Sequence, residues 1–564
     1  MMKKTITIAV SAVLICGALI PLTGAQANQV PRMTVEKQAA KAAGDNIHPV
    51  FTWGNPGPLS PILHKGSIKG AGMIQQPLDG IDAHLNKFIS ERAMPGAVAF
   101  VARSGHIVKH DAYGYAYRYE DDQFTESENP IKMREDTIFD LASISKIFTT
   151  TAAMILYDRG QFGLDDKVAE YIPEFAANGK ENVTIRQLMT HTSGLAAWVP
   201  LYTQGNSRED RVNLVLSQPL SNPPGSKYTY SDLNMITLGV LIERLSGKRQ
   251  DEFVKEYITE PLEMKDTMYN PPAALKGRIA ATEFQPWTNR GIVWGEVHDE
   301  NAWALDGVAG HAGVFSTAED LAKLAHMYLN DGRYGGKQIL RTETVRMLVE
   351  NQIPEFPGND HGLGWEIAQG WFMDALADES ALGHTGYTGT SIVVNRANDT
   401  IAILLTNRVH PSRNTVTTNT ARRAFARQVA EAIPVSVPDG QAWFSGYGDK
   451  IQHALTAAVD VEQPSKISFT TWHRIEKDSD YGYLEWSIDG LNWTKAKQYT
   501  GNSDGWVDVE APLPAIAKFV RFRYETDSTV NGRGWYVDNI KIEGVGGKNV
   551  EPSFKGEGWE QRSH

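Results

Sequence analysis

A chain of 564 residues is too long for one hydrophobic core, so two or more domains are expected. Hydrophobic residues make up 41% and charged residues 22%, the balance of a globular protein, with no polybasic run. The formal net charge of −12 argues against a nucleic-acid partner, whose phosphates demand a basic surface.

Lys3-Lys4, an apolar run over 6–22 and the small residues around Ala25-Gln26-Ala27 make up a secretory signal peptide, 1–27. The run is short and interrupted by Gly17 and Pro21, which disfavours a membrane anchor. The only cysteine, Cys16, lies in this segment, so the expected mature chain has no disulfide or thiol chemistry. No later stretch is long and apolar enough to span a bilayer. A secreted, extracellular protein is expected.

Residues 28–75, rich in Pro and Gly, read as an extended leader. Ile81, Leu85, Phe88 and Ile89 have helical spacing and predict a helix over 79–94, stopped by Pro95-Gly96. Residues 97–103 and 106–110 read as a hairpin around Ser104-Gly105. Helical patterns dominate 144–258 and 318–330; strand-like runs return at 391–394 and 401–406, and 420–433 closes as a helix. This order predicts an α+β domain with one sheet over 76–433. The texture changes across a linker at 434–440. Beyond it, 441–545 carries short alternating runs separated by turns (Asp489-Gly490, Asp504-Gly505, Asn531-Gly532), the pattern of a β-sandwich, and 546–564 reads as a tail.

The chemistry starts at Ser143 and Lys146. A lone S-x-x-K arises by chance roughly twice in a chain of this length, and its bland reading is an N-cap serine beside a solvated lysine. Three residues apart on a helix, however, the amine reaches the hydroxyl. The helix N-terminus also favours a developing negative charge. Two later elements add to this: Tyr230-x-Asp232 at the start of another helix, and His384-Thr385-Gly386 leading into a strand. A phenol beside a lysine serves as a proton shuttle, and a glycine-rich strand edge lets substrate lie against the backbone.

These three motifs, in this order, resemble the serine β-lactamase and penicillin-binding protein superfamily on its class C side, over about 79–433. Pro95-Gly-Ala-Val-Ala and Thr184-Ile-Arg-Gln-Leu-Met-Thr-His-Thr-Ser-Gly194 resemble it as well. The resemblance implies a β-lactamase/transpeptidase-like domain, an antiparallel sheet with flanking helices and a helical subdomain. It implies that Ser143 is acylated, that Lys146 and Tyr230 share the proton transfers, and that the N–H groups of Ser143 and Tyr387 form the oxyanion hole. No metal or organic cofactor is required.

Two departures stand out. Asp232 replaces the usual asparagine and favours the ammonium form of Lys146; Asn234 is a candidate for the missing amide contact. His384 replaces the usual lysine of the third motif, so a permanent cation becomes a titratable ring. Strong β-lactamase activity is therefore not expected. The stretches Val297-His-Asp-Glu-Asn-Ala302 and Gly307-Val-Ala-Gly-His-Ala-Gly-Val-Phe-Ser316 resemble a secreted subgroup of penicillin-binding-protein-4B-like proteins and an N-acetylmuramoyl-L-alanine amidase. Here His298, Asp299 and His311 are candidate substrate contacts. Their spacing matches no zinc motif, and loop-stabilising hydrogen bonds are an equal alternative.

The 441–545 region resembles the MAM-like sandwich of immune-inhibitor-A-type metallopeptidases, through Trp472-His-Arg-Ile-Glu, 480–490 and 534–542. Such a jelly-roll-like domain implies a glycan or cell-wall surface as partner, and Glu476, Asp480 and Asp538 are candidate donors for a structural calcium ion. One motif is set aside. Gly501-Asn-Ser-Asp-Gly505 fits G-x-S-x-G but lacks the strand–turn–helix elbow that chemistry needs, so Ser503 reads as a loop residue. The resulting expectation is a secreted serine amidase or peptidase acting on peptidoglycan peptides. The alternatives are a carboxylesterase or a weak D-alanyl-D-alanine carboxypeptidase-type protein on the same scaffold, or a silent binding protein.

Overall fold

The computed structural model describes residues 58–564 apart from 439, 460, 462, 504 and 544–548. The signal peptide with Cys16, the leader up to residue 57 and the expected turn residue Asp504 lie outside the described residues.

The first sheet contains β1 (His64–Lys65), β2 (Gly96–Arg103), β3 (His106–Tyr119), β4 (Glu126–Lys132), β5 (Glu366–Ile367), β6 (Ala381–Thr385), β7 (Ser391–Asn395) and β8 (Thr400–Thr406). Its order is β1-β3-β2-β8-β7-β6-β5, with β4 paired to β3. All pairs are antiparallel except β1 with β3. The helices that position the site are α1 (Gln75–Ser90), α2 (Ser145–Asp158), α3 (Asp232–Ser246), α4 (Ala318–Leu329) and α5 (Asn419–Glu431).

β2 is buried along its whole length because it is central and covered on both faces. Val98, Phe100 and Ala102 face the core shared with α2, α3 and α4. Ala97, Ala99 and Val101 face the second core, under α1 and α5. α2 is buried from Ser145 to Leu156, as expected of a helix apolar nearly all round, and this takes Lys146 inside.

Two boundaries differ from the sequence reading. Part of the expected leader packs onto the sheet: β1 joins β3, and Ala71 and Met73 are buried under α1. From residue 549 onward the expected tail is woven into the sandwich as three short strands. Trp559 enters the core between two short strands.

The sandwich strands are β9 (Ala442–Phe444), β10 (Gln452–Ala458), β11 (Ser465–Arg474), β12 (Tyr481–Ser487), β13 (Trp493–Tyr499), β14 (Val507–Leu513), β15 (Phe519–Glu525), β16 (Gly534–Glu543), β17 (Asn549–Val550), β18 (Lys555–Glu557) and β19 (Glu560–Arg562). One antiparallel sheet runs β14-β11-β16-β9-β19 with β17 on β16, the other β13-β12-β15-β10-β18. Phe469, Leu484, Phe522, Trp535 and Val537 fill the space between them. Among the described residues, no helix is long and apolar enough to cross a membrane.

Candidate active site

Ser143 sits in a single 3-10 turn, Ala142–Ile144, immediately before α2. Ala142 has φ 47°, a left-handed conformation that an L-residue holds only when its surroundings impose it. The buried Asp140 does so. Its carboxylate accepts the Ala142 N–H at 2.8 Å and the His298 N–H at 2.7 Å. From the other side, Thr388 Oγ1 donates to the Asp140 carbonyl and Thr390 Oγ1 to that of Leu141. Gly386 packs so closely here that a Cβ would run into the Leu141 carbonyl and the Thr390 hydroxyl. The Ser143 turn and the third-motif loop are therefore packed as one unit.

Lys146 Nζ lies 2.9 Å from Ser143 Oγ, 2.9 Å from Asp232 Oδ1 and 3.3 Å from the His311 carbonyl. An ammonium has three N–H donors, and three acceptors meet it. Burial opposes its charge, but Asp232 and Tyr230 outweigh burial and raise its pKa above the ordinary lysine value. Tyr230 presents its ring face 4.7 Å from the same nitrogen. Burial raises the Tyr230 phenol, opposed by the Lys146 charge. Hydroxyl, ammonium and phenol thus meet at one point, all protonated at rest.

Asp232 opens α3. Ser231 caps that helix, accepting the Asn234 N–H at 3.4 Å and donating to the Ala196 carbonyl at 2.6 Å. Asn234 does not join Asp232 at the pocket: its side chain accepts from Ser193 Oγ and meets His191 Nδ1. Two residues apart on a helix is a turn of about 200°, which puts the two side chains on opposite faces.

His384 and Thr385 end β6, and His384 Nδ1 donates to the Thr385 carbonyl at 2.8 Å. Burial and the Lys146 charge push the His384 pKa down to about 3. The ring is thus neutral at physiological pH and supplies no cation. His191 and His361, also held low by burial, pack around Tyr230 and Tyr228.

His311 Nε2 is 2.8 Å from Asp299 Oδ1. Burial lowers the imidazole, yet Asp299 more than compensates and raises it, while Asp299 is itself held low by His311. Asp299 also caps the helix Glu300–Ala304. His298 binds the buried Glu283 at 2.8 Å. Glu283 also takes Arg413, whose guanidinium lies 4.9 Å from the Trp287 ring and 5.7 Å from the Tyr387 ring. Trp287 and Tyr387 are exposed and form an aromatic rim. Nothing in local spacing marks Glu283 or Arg413, which are 130 residues apart.

The family described as Beta-lactamase matches residues 79–427. The chain belongs to the β-lactamase family. An N-acetylmuramyl-L-alanine amidase of Bacillus subtilis (strain 168) is 34% identical over 349 residues, 56% of this chain and 78% of that protein. An Escherichia coli (strain K12) protein with the provisional name D-alanyl-D-alanine carboxypeptidase is 32% identical over 385 residues, 62% of this chain and 86% of that one. The solved structure of EstCE1, a hydrolase with promiscuous acyltransferase activity, matches with TM-score 0.50 at 22% identity. The match covers 64% of this chain and 98% of that one, and at that identity the likeness shows the fold alone. The protein is thus a β-lactamase-family serine hydrolase acting on amide or ester bonds.

Proposed function

We propose that this protein is an exported amidase or peptidase that cleaves bacterial cell-wall peptides through an acyl-enzyme on Ser143. The observation carrying this reading is the contact of Ser143 Oγ with Lys146 Nζ at 2.9 Å, with the Tyr230 ring 4.7 Å from that same nitrogen. Ser143 Oγ attacks the substrate carbonyl carbon, and the Lys146–Tyr230 pair moves its proton to the leaving amine. The N–H groups of Ser143 and Tyr387 receive the oxyanion. Water then repeats the sequence on the ester and releases the acid. The amidase and carboxypeptidase names of the two relatives support an amide substrate built from wall peptides. With His384 neutral, the third motif offers no positive charge to a penicillin carboxylate, which disfavours a β-lactam as the natural substrate. The exposed Trp287–Arg413–Tyr387 rim suits a substrate larger than a dipeptide, since aromatic faces stack on sugars. The sandwich is assigned the task of holding the enzyme near the wall.

The test is mass spectrometry of muropeptides digested by wild type and by Ser143→Ala. New peptide or D-alanine fragments, absent with Ser143→Ala, are expected. Turnover of short acyl esters with every muropeptide left intact would make the protein an esterase instead.

A further inference from the structure

Between β11 and β12 the chain places Glu476 and Asp480, and just after β15 it places Asp527. The pairing of Tyr481 with Glu525 brings these two connections to the same end of one sheet. Ligand oxygens of all three carboxylates lie within 4.8 Å of one another. Asp480 is 0% exposed. Its Oδ1 accepts the Asp527 N–H at 2.8 Å, while its Oδ2 is buried with no hydrogen-bond partner among the described residues, as is Glu476 Oε2. Burial, then the neighbouring carboxylates, pushes both Glu476 and Asp480 up to about 7. Among the described residues, no cation forms an ion pair with any of these three acids. Arg423, the cation that most affects Glu476, is already bonded to Asp374, Asp449 and the Thr529 carbonyl.

We infer that Glu476, Asp480 and Asp527 bind a calcium ion that clamps the sandwich onto the hydrolase domain. The donors are all oxygens, which selects a hard cation, and carboxylates crowded at one point suit calcium better than magnesium, which retains most of its water. Asp527 is exposed and supplies the entry path. The clamp follows from what Asp527 carries. Its Oδ1 accepts the Thr529 N–H at 2.8 Å, and the Thr529 carbonyl accepts Arg423 Nη2 of α5 at 2.6 Å. Its carbonyl accepts the Lys450 N–H at 2.6 Å, next to Asp449, which bridges Arg423 and Arg427 of α5. An ion fixing Asp527 therefore fixes both sandwich loops that touch α5. Asp538, the donor nominated from sequence, pairs opposite Thr470 in the other sheet and is outside this cluster.

The test uses the full-length chain after chelation and dialysis. Terbium luminescence, sensitised by the adjacent Tyr524, and calorimetry with calcium are expected to report one site. Calcium should displace terbium at millimolar concentration or below, where magnesium does not. Calcium should also raise the thermal transition and slow protease cleavage in the 434–440 linker. Asp480→Asn and Glu476→Gln, each checked for folding by circular dichroism, should lose the bound equivalent, and Asp538→Asn should keep it. Arg423→Ala should keep calcium but lose the slowed cleavage. No binding by wild type at millimolar calcium overturns the proposal, as does retained binding by either folded variant of Asp480 or Glu476. Equal displacement by magnesium overturns the ion assignment, and linker cleavage indifferent to calcium overturns the clamp.

Discussion

Among the described residues, two places gather three potential metal ligands within 4.8 Å: Asp232, Asp299 and His311 in the catalytic domain, and Glu476, Asp480 and Asp527 in the sandwich. The first is balanced by the chain itself. Lys146 sits on Asp232, and His311 and Asp299 hold each other. The second has three acids and orphaned oxygens. Clusters of similar size thus have opposite meanings. A buried anion with a built-in cation is set up for proton chemistry, whereas anions left unpaired call for a cation from outside.

Removing the built-in cation breaks the contrast most severely. Lys146→Met should lower kcat by at least about 10³-fold, because the proton path to Ser143 is lost. It should also destabilise the fold, by roughly 2–4 kcal/mol, below the loss for a fully buried pair because Asp232 keeps 19% of its side chain exposed. Adding Asp232→Asn to that variant should restore stability but not activity, measured by denaturant unfolding and ester turnover. Equal stability of the single and double variants would deny that Lys146 neutralises Asp232.

The next test concerns a charge network that supports the site from outside. Glu283 is held down to about 2, since hydrogen bonds from His298 and Arg413 overcome its burial. Its folded pKa is below the ordinary 4.5, so its stabilisation is complete above pH 4.5 and fades as pH falls toward 2. Glu283→Gln should cost about 1–3 kcal/mol at pH 7 and flatten the acid limb of a stability–pH curve. An unchanged acid limb would show that other carboxylates dominate acid unfolding.

A smaller effect sharpens the catalytic half. Lys146 is held above its ordinary pKa, so the protonated resting site limits acylation and kcat/KM should climb from pH 7 toward pH 10. Asp232→Asn removes the group that most strongly opposes loss of that proton. The rising limb should move down by roughly one pH unit, with a gain of about tenfold or less at neutral pH. A limb that stays in place would assign it to Tyr230 alone.

How far these features could be read in the sequence depends on whether they were local. Ser143 and Lys146 lie one turn apart, and strand alternation marked β11, β12, β15 and β16, so short-range periodicity sufficed for both. His384 was visible as a motif residue, but its neutrality comes from Lys146 and burial, which only the packed site supplies. Glu283 and Arg413 meet across 130 residues of chain, and nothing in either neighbourhood records the other. That Asp527, and not Asp538, joins Glu476 and Asp480 depends on the Tyr481–Glu525 register. Alternation in one strand says nothing of its partner. The Asn234 expectation failed for a reason the sequence did contain, since a residue two positions along a helix faces away.

Ser503 gives the smallest predicted effect and the cleanest control on motif reading. Its Oγ accepts the His473 N–H at 2.9 Å and lies 3.2 Å from the His473 carbonyl, tying the turn after β13 to the end of β11. Both partners are backbone groups, so the hydroxyl has no base to activate it and acts as a clip. Ser503→Ala should cost about 1 kcal/mol or less and leave hydrolysis unchanged. A fluorophosphonate probe should label wild type and Ser503→Ala equally and Ser143→Ala not at all. Label that survives loss of Ser143 and disappears with Ser503 would move the nucleophile into the sandwich and undo the assignment of the first cluster.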